Sequence, residues 1–152
     1  MTKVAYDNPS IGCYVDESCG SADDCNRQTI DFAQNYGFEF DESELPSLDE
    51  ESAEGREGEY SQALSEYADK AIDYLNDCEQ RPFLYWSFDD NSLFLSPGFE
   101  EAKEDCEFVS SKGEDYPPND FKGEWLHISD HGSCTLYNRN SEGKDVEIWA
   151  CV

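Results

Sequence analysis

His127, Asp130 and His131 stand close together in the chain, and a group of that composition is what a metal centre or an acid–base pair requires. Its setting argues against both. Asp130-His131-Gly132 has the composition of a hairpin turn, His127 lies in a strand-like run between Leu126 and Ile128, and the chain has only two histidines. Seven cysteines offer nucleophiles, but no local signature sets one beside a base, and acidic surroundings raise thiol pKa values and blunt reactivity. Zinc sites favour close cysteine pairs, whereas Cys13, Cys19 and Cys25 are six residues apart and Cys78, Cys106, Cys134 and Cys151 are solitary. Paired carboxylates can hydrolyse glycosides, yet among thirty-six acids such pairs arise by chance. The sequence has neither a phosphate-cradling glycine loop nor the acid spacing of an EF-hand. No catalytic residue, metal ligand or cofactor is assigned, and the chain is read as a binding protein rather than an enzyme.

The chemistry left is charge. Thirty-six acids against ten bases give −26 on 152 residues. Such a surface repels nucleic acid and anionic lipid, and it attracts proteins whose working surface is positive. Nine Phe, nine Tyr and three Trp separate the chain from disordered acidic tails, which lack aromatic residues. The first residues carry no apolar leader and no run approaches the length of a membrane span, so a cytoplasmic protein with reduced, mostly buried thiols is expected.

The elements that must position these charges follow from local pattern. After an irregular arm with a short strand near Tyr14–Val15, Ser21 and Asp24 form a capping box, and Cys25, Thr29, Phe32, Ala33 and Tyr36 share a helical face ended by Gly37. Residues 38–58 are strongly acidic and are expected to be an extended or mobile linker. A second helix over roughly 58–78 buries Tyr60, Leu64, Tyr67, Ala68, Ala71, Ile72 and Leu75, and turns Glu66, Asp69, Asp73 and Asp77 outward. Beyond Pro82 the period becomes two. Strands are expected at Phe83–Phe88, Ser92–Ser96, Glu124–Ser129, Ser133–Asn138 and Asp145–Val152, with a short acidic helix from Glu100 to Cys106. In the last strand Val146, Ile148, Ala150 and Val152 alternate with Trp149 and Cys151. The expected fold is one α+β domain over 1–152, with two helices packed on one face of a roughly five-stranded antiparallel sheet.

In charge, length and want of catalytic motifs the chain resembles the phage- and plasmid-encoded anti-restriction and anti-CRISPR proteins. The run Trp125-Leu126-His127-Ile128-Ser129-Asp130-His131-Gly132 with Glu147-Ile148-Trp149 also resembles small phage proteins to which no activity is attached. The class resemblance implies a nucleic-acid mimic, monomeric or dimeric, that occupies the basic groove of a restriction or CRISPR effector in the host cytoplasm without binding nucleic acid or membrane. The acids expected to meet that partner are Glu39, Asp41, Glu42, Glu44, Asp49, Glu50, Glu51, Glu54, Glu57, Glu59, Glu66, Asp69, Asp73 and Asp77. Two alternatives are a salt-adapted protein whose acids keep its surface hydrated, and a small enzyme of an unrecognised class.

Overall fold

The computed structural model describes residues 5–16, 20–46, 53–110 and 116–151, with 53–57 described by their backbone alone. In chain order the elements are β1 (Gly12–Val15), α1 (Ala22–Asn35), a 3-10 turn (Glu42–Glu44), α2 (Ala53–Cys78), β2 (Leu84–Asp89), β3 (Ser92–Pro97), α3 (Phe99–Asp105), β4 (Phe108–Ser110), β5 (Gly123–Ile128), β6 (Cys134–Arg139) and β7 (Asp145–Cys151). The α+β class holds, but the expected single sheet does not form. Among the described residues there are three α-helices and two sheets, ordered β1-β3-β2 and β4-β5-β6-β7. The residues fall into two compact units, Met1–Gln80 with Trp86–Leu95, and Arg81–Tyr85 with Ser96–Val152.

In the first unit, α1 starts where its capping box places it. Ser21 Oγ accepts from the Asp24 N–H at 3.2 Å, and the Asp24 carboxylate accepts from the Ser21 N–H at 3.1 Å. The helix ends in a Schellman arrangement, with Gly37 N–H donating to Gln34 O and Phe38 N–H to Ala33 O. Gly37 holds φ at +106°, a conformation in which a Cβ would be strained. Helix α2 begins at Ala53, five residues earlier than the apolar stripe alone indicates. Leu64, Ala68, Ala71 and Leu75 are fully or almost fully buried along it, against α1 residues that include Ile30 and Ala33 in the same core. Each buried leucine contributes about 1.5–3 kcal/mol, enough to outweigh the few tenths lost to like charges four apart on the outer face.

Most of the three-stranded sheet belongs to this unit. The β2–β3 hairpin turns through Asp90 and Asn91, both at positive φ as a type I′ turn demands. β2 is an edge strand, and Asn76 of α2 supplies what a neighbouring strand would. Its amide donates to Trp86 O at 3.0 Å and accepts from Trp86 N–H at 2.7 Å. The Trp86 ring meets Tyr14 and Phe32 at centroid distances of 5.2 and 5.3 Å.

In the second unit, β5, β6 and β7 form an antiparallel meander around Trp125, Leu126, Leu136 and Trp149. β4, which the sequence pattern does not reveal, adds to β5 in parallel, with Phe108 opposite Trp125 and Ser110 opposite His127. Only three residues long, it is too short to show alternation. The expected facing of β7 is also corrected. Glu147 lies opposite Tyr137 but Trp149 lies opposite Leu136, so Ile148 is an extra residue in a bulge. The bulge puts Val146 on the side of Trp149 and Cys151, and Ala150 on the other. Arg139 is buried; it forms a forked ion pair with Asp145 and donates to the carbonyls of Pro117 and Pro118.

The thiols also depart from expectation. Cys25 is disulfide-bonded. Of the free cysteines among the described residues, Cys13 is exposed, Cys78, Cys106 and Cys151 are half-buried, and only Cys134 is buried. Local sequence pattern is silent on which sulfurs the fold brings together. Among the described residues no helix is long and apolar enough to cross a membrane.

Candidate protein-binding surface

Charge is divided unequally between the two units. The first holds twenty-three of the thirty-six acids and four of the ten bases, a net −19, and the second holds thirteen acids and six bases, a net −7. The strongest negative field therefore belongs to the helical unit, which contains every residue expected to meet a partner.

On α2, Glu59, Glu66, Asp69, Asp73 and Asp77 are all exposed. The last four recur at intervals of three or four residues and so form a single row over about 16 Å of helix axis. Glu54 and Glu57 fall within the first turns of the same helix. Asp49, Glu50 and Glu51 lie outside the described residues.

Residues 38–46 run beside α2, extended at Asp41 and Leu45 on either side of the 3-10 turn. Phe38 and Phe40 alternate with exposed Glu39 and Asp41, and the two rings pack on Tyr74 and Tyr67 of α2 at centroid distances of 5.6 and 5.0 Å. Asp41 caps the following 3-10 turn by accepting from the Ser43 N–H at 3.0 Å and the Ser43 hydroxyl at 2.6 Å. Those bonds, the hydroxyl's first, hold the Asp41 carboxyl below the ordinary aspartate range and so keep it charged. Leu45 is buried behind the turn, and the Tyr67 hydroxyl donates to the Glu44 carboxylate. That bond is the main reason the Tyr67 phenol stays protonated to higher pH than usual. Four more acids, Glu39, Asp41, Glu42 and Glu44, are thereby held exposed alongside the helix.

The described bases of this unit are occupied by the unit itself. Arg27 Nη1 lies 2.6 Å from Glu42 Oε1, and its Nη2 donates to the Tyr60 hydroxyl. The Tyr60 bond, more than the Glu42 one, fixes the guanidinium in its charged form. Lys70 sits over the Tyr67 ring, 4.9 Å from its centroid. Glu42 is thus partly neutralised, whereas Glu39 and the α2 row face solvent, and among the described residues no cation forms an ion pair with them. Sequence reading missed Arg27, Phe38, Phe40 and Lys70 as determinants. The period-two run Phe38-Glu39-Phe40-Asp41 was the available signal, overshadowed by its charge.

The residues first considered for catalysis do not come together. His131 and Asp130 are exposed in the β5–β6 turn, where the His131 N–H donates to Ser129 Oγ at 3.3 Å. His127 is half-buried, stacked on Tyr116 at 6.0 Å with the planes 17° apart. Opposite it, Ser110 is buried, its Oγ without a hydrogen-bond partner. Among the described residues no three His, Cys, Asp or Glu side chains gather as a metal ion would require. No family model matches the chain, and no curated protein or solved structure does so either.

Proposed function

We propose that the acidic face of the helical unit binds the basic groove of a nucleic-acid-handling protein, such as a restriction or CRISPR effector, and blocks it as a mimic of nucleic acid. One observation carries the reading: the exposed row Glu66–Asp69–Asp73–Asp77 runs beside the pinned acids at 39–44, while Arg27 and Lys70 are engaged within the unit. Carboxylates four apart on a helix rise about 6 Å, a spacing that a groove lined for the dense charge of a duplex can meet. Because the helix and the aromatic contacts hold these carboxylates in place, little ordering is needed on binding. The protein acts in the cytoplasm, where such effectors work, as a monomer or dimer and without touching nucleic acid.

Competition for DNA tests this reading. A labelled duplex bound to candidate effectors should be displaced by the protein at low salt, and the protein alone should leave naked DNA unshifted. Tight association with naked DNA, or no displacement at large excess over every effector tried, sinks the proposal.

A further inference from the structure

The β6–β7 hairpin is fastened at its turn and open at its other end. At the turn, Arg139 and Asp145 are opposed in register and joined by bonds of 2.9 and 3.1 Å. At the open end the last opposed pair is Cys134 and Cys151. Directly opposed residues of antiparallel strands have Cα atoms about 4.5 or 5.5 Å apart, and both separations fall in the range that a disulfide spans. β7 is the edge of its sheet, so nothing on its far side within that sheet restrains the open end.

We infer that Cys134 and Cys151 form a site for a reversible cross-strand disulfide that closes the open end of the β6–β7 hairpin. The two thiols differ as such a site needs. Cys151 is half-buried and reachable, whereas Cys134 is 5% exposed. Burial first, and then the neighbouring Cys151 sulfur, pushes the Cys134 thiol above its ordinary pKa and protects it from direct attack. With a low-molecular-weight disulfide such as oxidised glutathione, the Cys151 thiolate attacks one sulfur and expels a glutathione thiolate. Cys134, as its thiolate, then attacks the Cys151 sulfur of the mixed disulfide and expels the second. Two protein thiols are oxidised to one disulfide, one small disulfide is reduced to two thiols, and the two protons pass to the departing glutathione. The loop closed is short and already hairpin-shaped, so the bond adds stability without rearranging the sheet.

The inference is independent of the acidic face and is tested on the full chain. Trypsin cuts after Lys122, Arg139 and Lys144, which leaves Cys134 and Cys151 on separate peptides. After equilibration in oxidised glutathione and alkylation, the non-reduced digest should contain these two peptides joined as the main new cross-link, and dithiothreitol should release them. Oxidation should raise Tm by several degrees, and both Cys134→Ser and Cys151→Ser should abolish the cross-link and the rise, while Cys106→Ser keeps both. If either serine variant fails to fold, the wild-type cross-link and its Tm rise decide alone. Cys134 and Cys151 recovered only as separately alkylated or glutathionylated peptides, or joined to other cysteines, overturn the inference.

Discussion

The Phe40 ring meets the Tyr67 ring edge-on, with centroids 5.0 Å apart and planes at 73°, and the Tyr67 hydroxyl in turn donates to Glu44. This relay ties an acidic segment to an acidic helix against their mutual repulsion, because apolar contact does not depend on charge. Phe40→Ala should therefore destabilise the protein by about 1–3 kcal/mol, less than a fully buried phenylalanine because the ring is half-exposed. Urea melts measure that loss. Affinity for a basic partner should also fall, although net charge is unchanged; unaltered affinity would show that the placement of Glu39, Asp41, Glu42 and Glu44 is irrelevant to binding.

Replacing Glu66, Asp69, Asp73 and Asp77 together by their amides should weaken effector inhibition by about tenfold or more. The fold should survive, since removing like charges four apart relieves α2. The matched control changes Glu100, Glu101, Glu104 and Asp105, exposed acids on α3 in the other unit. Equal losses in both variants, read by DNA-competition titration, would assign the effect to net charge rather than to the row.

Association with the partner should slow steeply between low and physiological salt, while dissociation changes less, because screening acts mainly on long-range encounter. Stopped-flow mixing at a series of ionic strengths measures both rates. The fold itself should be retained at low salt, held by its two packed cores; unfolding there, reversed by molar salt, would favour the salt-adapted alternative.

Asp145 predicts a pH signature. Arg139 first, and the Trp125 indole N–H second, hold its carboxyl below the ordinary aspartate value. Across the interval between the two pKa values the unfolded chain binds more protons than the native state. The pair's contribution is thus complete above the ordinary value of about 3.9 and is lost as pH falls through the depressed folded value. Asp145→Asn should lower Tm at neutral pH, and the gap from wild type should close as pH falls through that interval. Tryptophan-fluorescence melts across the acid range check this, and a gap independent of pH would refute the assignment.

Much of the fold was legible in the order of residues. Ser21 with Asp24, Gly37, the Leu64–Leu75 stripe and Gly132 each act on neighbours within a few positions, so their patterns announce α1, α2 and the β5–β6 turn. The acidic row on α2 was legible for the same reason, since helical spacing alone puts Glu66, Asp69, Asp73 and Asp77 on one face. The packing of the run 38–46 on α2 was not legible, because its carboxylates dominate its composition and hide the alternation of Phe38 and Phe40.

By itself, then, the sequence determined the helices, most strands, the turns and the net charge, because these depend on local torsional preference, periodicity and simple count. Tertiary structure alone decided that the strands divide into two sheets, that β4 joins β5 in parallel, and that Ile148 bulges. It also decided that Arg27 reaches Glu42, that Phe40 finds Tyr67, and that Cys134 faces Cys151. Each of these outcomes joins segments separated along the chain, and which segments meet depends on how every apolar face is buried at once.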